Sequence, residues 1–120
     1  MSYITNEEEE QYFRELDMIN KEFPNIKFSI AIPYNELNNI VSLQHTIFII
    51  NQPTCYCYKN QVKPKKQVFR ITSIKSPITF RIIFKQLMLQ NYSLKCKHHF
   101  IEGIFPISGH SNMFDFMLGS

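Results

Sequence analysis

Apolar residues in this chain change their spacing along its length, and each spacing admits one kind of backbone. Tyr12, Phe13, Leu16 and Ile19 recur at helical intervals, Ile26, Phe28, Ile30 and Ile32 alternate with Lys27, Ser29 and Ala31, and Phe80, Ile83, Phe84, Leu87 and Met88 return to the helical interval. Helical spacing gathers side chains on one stripe, whereas a strand turns successive side chains to opposite faces, so one pattern cannot do the other's work. The chain must therefore mix helix and sheet. Each helix must also find something on which to lay its stripe.

Local punctuation places the ends. Thr5 or Asn6 caps the first helix, with a glutamate three residues on as in a capping box, and the carboxylates of Glu7, Glu8, Glu9 and Glu10 sit at the positive end of its dipole. Pro24 marks its end, and core packing is the expected role of its stripe. Residues 26–32 read as a strand with one buried face, stopped by Pro33. Residues 34–44 read as a short helix or an ordered loop, and 45–50 as a β-branched apolar strand with neighbours on both sides. Pro53 and Pro64 bracket a strand-like segment at 54–58 and a basic turn at 59–66, after which 67–74 resumes as a strand. Ser76 before Pro77 predicts the start of a second, amphipathic helix running to Asn91. Residues 98–105 and 113–118, separated by Ser108, Gly109, His110, Ser111 and Asn112, read as a terminal β-hairpin. The expected fold is a single α+β domain over residues 1–120, with a mainly antiparallel sheet, an N-terminal helix and a second amphipathic helix before a C-terminal hairpin.

Charge is segregated along the chain. Seven of the ten acids precede Phe23, and between Glu36 and Glu102 there is no acid at all while ten Lys and Arg residues occur. The net charge of +3 hides that division. A carboxylate-free stretch favours an anionic partner or surface. The longest uninterrupted apolar run, 47–50, is far shorter than the ~20 residues that span a bilayer, and the early glutamates do not resemble a secretory leader. No membrane contact is expected, and the expected setting is cytoplasmic. Three cysteines, an odd number, agree with a reducing compartment. Seventeen Ile and ten Asn against one Ala follow AT-rich codons and weaken any case that a given Lys, Asn or Ile was chosen for chemistry.

Four chemistries compete for the remaining residues. Cys55-x-Cys57 and Cys96-x-His98, with His99 alongside, are soft ligands in two pairs, yet the one-residue gap is shorter than structural zinc sites use. These are weak metal candidates, and no cofactor is expected. Cys96 with His98 or His45 is the only nucleophile pairing on offer, and no local signature surrounds it. Only Glu36, Glu102 and Asp115 lie beyond the first helix, too few for paired-carboxylate work, and three glycines make no phosphate loop. An enzyme is not expected. A basic and aromatic segment, Tyr56, Tyr58, Lys59, Lys63, Lys65, Lys66, Arg70 and Lys75, extended by Arg81 and Lys85 on the second helix, is the candidate partner-binding surface. Lysines would meet phosphates and rings would stack bases if the partner were nucleic acid. Acidic helix and basic body also suit a protein partner or self-association, or else the helix lies across its own domain. Glu102, isolated among cations, is expected to pair with His99 or a lysine and to fix the hairpin register before Gly103.

The run Cys96-Lys97-His98-His99-Phe100-Ile101-Glu102-Gly103-Ile104, closing in Met117-Leu118-Gly119-Ser120, resembles the last hairpin of small uncharacterised proteins of giant DNA viruses of the mimivirus type. The resemblance extends from Thr72 onward. It implies a viral accessory or virion-associated protein, located in host cytoplasm or virion, and would make Gly119 and Ser120 part of the natural chain. It carries over no catalytic residue. The function expected is a non-enzymatic protein-binding or assembly module with a basic interaction surface. Nucleic-acid binding through residues 56–75 is the alternative, and a small zinc-binding or Cys/His enzyme the third.

Overall fold

Strand β3, Thr46–Asn51, alternates half-buried and buried positions, and partners flank it on both sides as its β-branched run requires. The structure, a computed structural model, describes residues 6–24, 29–51, 65–92 and 100–119. Along the chain these form helix α1 (Asn6–Glu22), strand β1 (Ser29–Ile30), a 3-10 turn (Tyr34–Glu36), β2 (Ile40–Ser42), β3, β4 (Gln67–Thr72), β5 (Ile78–Thr79), helix α2 (Phe80–Leu89), β6 (Phe100–Pro106) and β7 (Met113–Gly119). Five strands make one sheet in the order β1-β6-β7-β3-β4, and β2 pairs with β5 in a second small ladder. The long ladders, β3 with β4 and β6 with β7, are antiparallel; β1 with β6 and β3 with β7 are short parallel contacts. The fold is the expected α+β class, antiparallel in its main pairings.

Both helices lie over one face of the sheet. Ile47 and Ile49 of β3, Phe69 and Ile71 of β4, and Phe114 and Phe116 of β7 point inward to Ile83, Phe84 and Leu87 of α2 and to Ile19 and Phe23 at the end of α1. Rings join these layers: Phe84 meets Phe23 edge-on at 6.3 Å, and Tyr92 meets Phe69 at 5.1 Å and Phe116 at 5.3 Å. Helix α2 ends in a Schellman motif. Asn91 adopts a left-handed φ of 58°, Asn91 N–H donates to Met88 C=O, and Tyr92 N–H donates to Leu87 C=O, which folds buried Tyr92 back under the helix.

Several local expectations shift. Helix α2 starts at Phe80 and not Pro77, because Thr79 takes the cap with its hydroxyl accepting from Ile82 N–H at 3.3 Å, while Ile78 and Thr79 are drawn into pairing with Ser42 and Ile40. A tertiary ladder there outweighs the Ser-Pro signal. The stripe of α1 is core only at its end: Ile19 is buried, but Tyr12 is 62% and Phe13 53% exposed. Strand β1 is described over two residues at the sheet edge, where periodicity led to expect seven; residues 25–28 lie outside the described set. The 34–44 segment resolves into the 3-10 turn followed by β2. The strand expected at 54–58 and the turn at 59–64 also lie outside the described residues. The terminal hairpin forms as expected, turning at Gly109 with φ 84°.

Glu102 stands at a shift in the hairpin register, and its expected partner His99 lies outside the described residues. Ile101 faces Leu118 and Gly103 faces Met117, leaving Glu102 as the extra residue of a β-bulge. It is exposed, its carboxylate lies against Gly119, and no described cation pairs with it.

Candidate functional site

The expected cationic surface divides into two kinds of residue. Lys65 and Lys66 lead into β4, Arg70 projects from β4 on the side away from the helices, and Lys75 follows in the turn; all four are exposed. None forms an ion pair with a described carboxylate. Arg81 is different, because the fold uses it. Its Nε donates to Glu22 Oε1 at 2.5 Å and its Nη2 to Glu22 Oε2 at 3.3 Å, Nη1 donates to Asn38 Oδ1, and the guanidinium carbon stands 5.5 Å from the centre of the Tyr34 ring. Hydrogen bonding to Glu22 holds the guanidinium above its ordinary pKa, against an opposing push from partial burial. Lys85 leans on the same carboxylate at 3.9 Å with its side chain 53% exposed. The acidic helix thus does reach its own domain's basic surface, through its last residue.

Tyr56, Tyr58, Lys59 and Lys63 lie outside the described residues, as do the metal candidates Cys55, Cys57, Cys96 and His98. Among the described residues no three His, Cys, Asp or Glu side chains converge on a point. The start of α2 offers no anion site either. Phe80 N–H donates to Asn39 C=O, Arg81 N–H to Leu37 C=O, and Ile82 N–H to the Thr79 hydroxyl, so the donors of the first turn are occupied.

A concave site lies where sequence periodicity predicted core. Helix α1 and the edge strand β1 flank a cleft of about 310 Å³, lined by Tyr12, Glu15, Leu16, Ile19 and Asn20 from the helix and by Ile30, Ile32, Tyr34 and Phe100. Ala31 N–H donates to Ile101 C=O at 3.0 Å. In a parallel ladder this turns the N–H and C=O of Ile30 away from β6, toward the open edge. A second, shallower concavity shares Tyr12 and Glu15 with the cleft and is otherwise lined by Glu7, Glu8 and Gln11. An apolar slot therefore opens beside a carboxylate-lined shelf, with a strand edge that no described strand pairs along one wall. Its sequence signal was present but ambiguous: an aromatic pair, Tyr12 and Phe13, embedded next to four consecutive glutamates is a poor candidate for burial. The rings instead meet each other edge-on at 5.5 Å.

No helix among the described residues is long and apolar enough to cross a membrane. No protein-family model matches the chain, and neither a curated protein nor a solved structure does.

Proposed function

We propose that this domain acts without catalysis, as a protein-binding module that takes an extended segment of a partner into the cleft between α1 and β1. The observation that carries this is the combination of an apolar slot, a strand edge at Ile30 that no described strand pairs, and the adjoining carboxylates of Glu7, Glu8 and Glu15. An added strand gains main-chain hydrogen bonds from the edge, its alternate side chains enter the slot, and its cations meet the shelf. The partner segment is accordingly apolar and basic. A viral accessory or virion-associated role suits such a module and draws support from the residue usage and the C-terminal hairpin sequence.

Fluorescence anisotropy with two labelled peptides, one alternating Leu and Lys and one alternating Leu and Asp, tests this. The Lys peptide is expected to bind and the Asp peptide not, and Tyr12→Ala combined with Glu15→Lys is expected to weaken binding tenfold or more. Equal binding of both peptides, or binding untouched by the double substitution, overturns the proposal.

Nucleic acid is the second reading, favoured by the exposed Lys65, Lys66, Arg70 and Lys75, which pair with no described carboxylate. Its mark would be affinity for labelled oligonucleotides that falls linearly in log salt.

A further inference from the structure

The face of the sheet turned away from the helices is apolar, and its described residues are half-buried to exposed. With Ile47, Ile49, Phe114 and Phe116 pointing to the core, Phe48 and Ile50 of β3, Met113 and Met117 of β7, Phe105 of β6 and Val68 of β4 point the other way. Val68 and Met117 are each 54% exposed. Among the described strand residues, two charges of opposite sign stand on this face. Arg70 is opposite Phe48. The parallel ladder sets Met113 beside Phe48, so Asp115, two residues on, is level with Ile50. The two charges are thus two strands across and two residues along from each other, about 12 Å apart. Neither has an ion-pair partner among the described residues, and the Asp115 carboxylate accepts from the N–H of Phe116 at 2.7 Å. Burial among the surrounding side chains pushes the Asp115 carboxyl above its ordinary range, with the Phe116 N–H pulling the other way.

We infer that this face is an interface with a second copy of the same chain. The midpoint between Arg70 and Asp115 falls on β3, between Phe48 and Ile50. A two-fold axis lying in the interface, crossing the Arg70–Asp115 line there at right angles, sets each Arg70 over the other copy's Asp115 and brings the Phe48 and Ile50 pairs together at the centre. Such a contact is self-complementary, as an isologous interface requires, and satisfies both charges twice. Sheets stacked at ~10 Å leave a separation that an arginine spans. Four strands abreast and six or seven residues deep give a face about 20 Å on a side. That footprint, about 400 Å² per copy, is below that of stable interfaces, so the contact is expected to be weak and its dimer concentration-dependent.

Sedimentation equilibrium over a concentration series tests the interface on the full chain. The unmodified protein is expected to move from monomer to dimer, while Arg70→Asp alone and Asp115→Arg alone remain monomeric, each facing its own copy with like charges. Mixing the two variants is expected to restore dimer, because the all-negative face of one then meets the all-positive face of the other at both contacts. Circular dichroism of each variant, expected to match the unmodified chain, separates loss of association from loss of fold, and Phe48→Lys provides an independent disruption at the centre. A monomer at every concentration, single variants that dimerise as well as the unmodified chain, or a mixture that stays monomeric would overturn the inference. This interface is independent of the α1–β1 cleft, and either can fail without the other.

Discussion

Arg81 shows how much one side chain can decide. Its fork grips both oxygens of Glu22, one nitrogen reaches Asn38 and its plane stands near Tyr34, so it ties the last turn of α1 and the 3-10 turn to the first turn of α2. The Arg81 and Glu22 side chains are only 22% and 18% exposed, between the exposed pairs worth under ~1 kcal/mol and the buried ones whose disruption costs ~3 to 5. Glu22→Gln is expected to cost about 1 to 2 kcal/mol, read as a lower urea midpoint. Arg81→Lys should lose nearly as much, because an ammonium keeps the charge but not the two-pronged grip or the ring contact. Full retention of stability by the lysine variant would mean that charge alone matters there.

At the scale of elements, α2 protects a sheet edge. Strand β4 is the last in its sheet, and an uncovered edge is a template for unwanted pairing. Gln86 closes it by imitating a neighbouring strand: Thr72 N–H donates to Gln86 Oε1 at 3.0 Å, and Gln86 Nε2 donates to Thr72 C=O at 2.6 Å. One turn further on, Gln90 Nε2 donates to Arg70 C=O at 3.1 Å. The i, i+4 spacing of the two glutamines matches the alternation of outward-facing groups on the strand. Gln86→Ala is expected to cost about 1 to 3 kcal/mol and to speed hydrogen exchange at the Thr72 amide while the Ile71 amide, turned toward β3, stays protected. Equal acceleration at both would show that the whole strand, not its edge, had loosened.

The molecule as a whole hangs on the few large side chains that join its layers. Phe84 is fully buried, meets Phe23, just past the end of α1, edge-on and stacks on Phe80 at 6.2 Å. Phe84→Ala is expected to cost about 3 to 5 kcal/mol, a large share of the 5 to 15 kcal/mol that holds a domain of this kind together. Ile74→Ala, at a position 86% exposed, should stay within about 0.5 kcal/mol. Comparable urea midpoints for the two variants would show that the core is not centred where α1, α2 and the sheet meet.

The kinds of element were legible because periodicity is local. Tyr12 to Ile19 and Phe80 to Met88 wrote their helices in their own spacing, residues 45–50 wrote a strand that forms one residue later, and Gly109 with its polar neighbours wrote the hairpin turn. The sequence also determined the charge division, since that is a matter of order along the chain. What it left open was how much partner surface each apolar stripe would find, and from which segment. Tyr12 and Phe13 have the same spacing as Ile19, yet the sheet extends far enough to cover only Ile19. Arg81 carries the same formal charge as Arg70, but only Arg81 has a carboxylate brought to it, from 59 residues away. Thr79 displaced Ser76 as cap because β2 reached it. The cleft, the open sheet face and the pairing of β1 with β6 are likewise contacts between distant segments. They depend on the closure of the whole chain, where side chains compete for burial that no local pattern can allot.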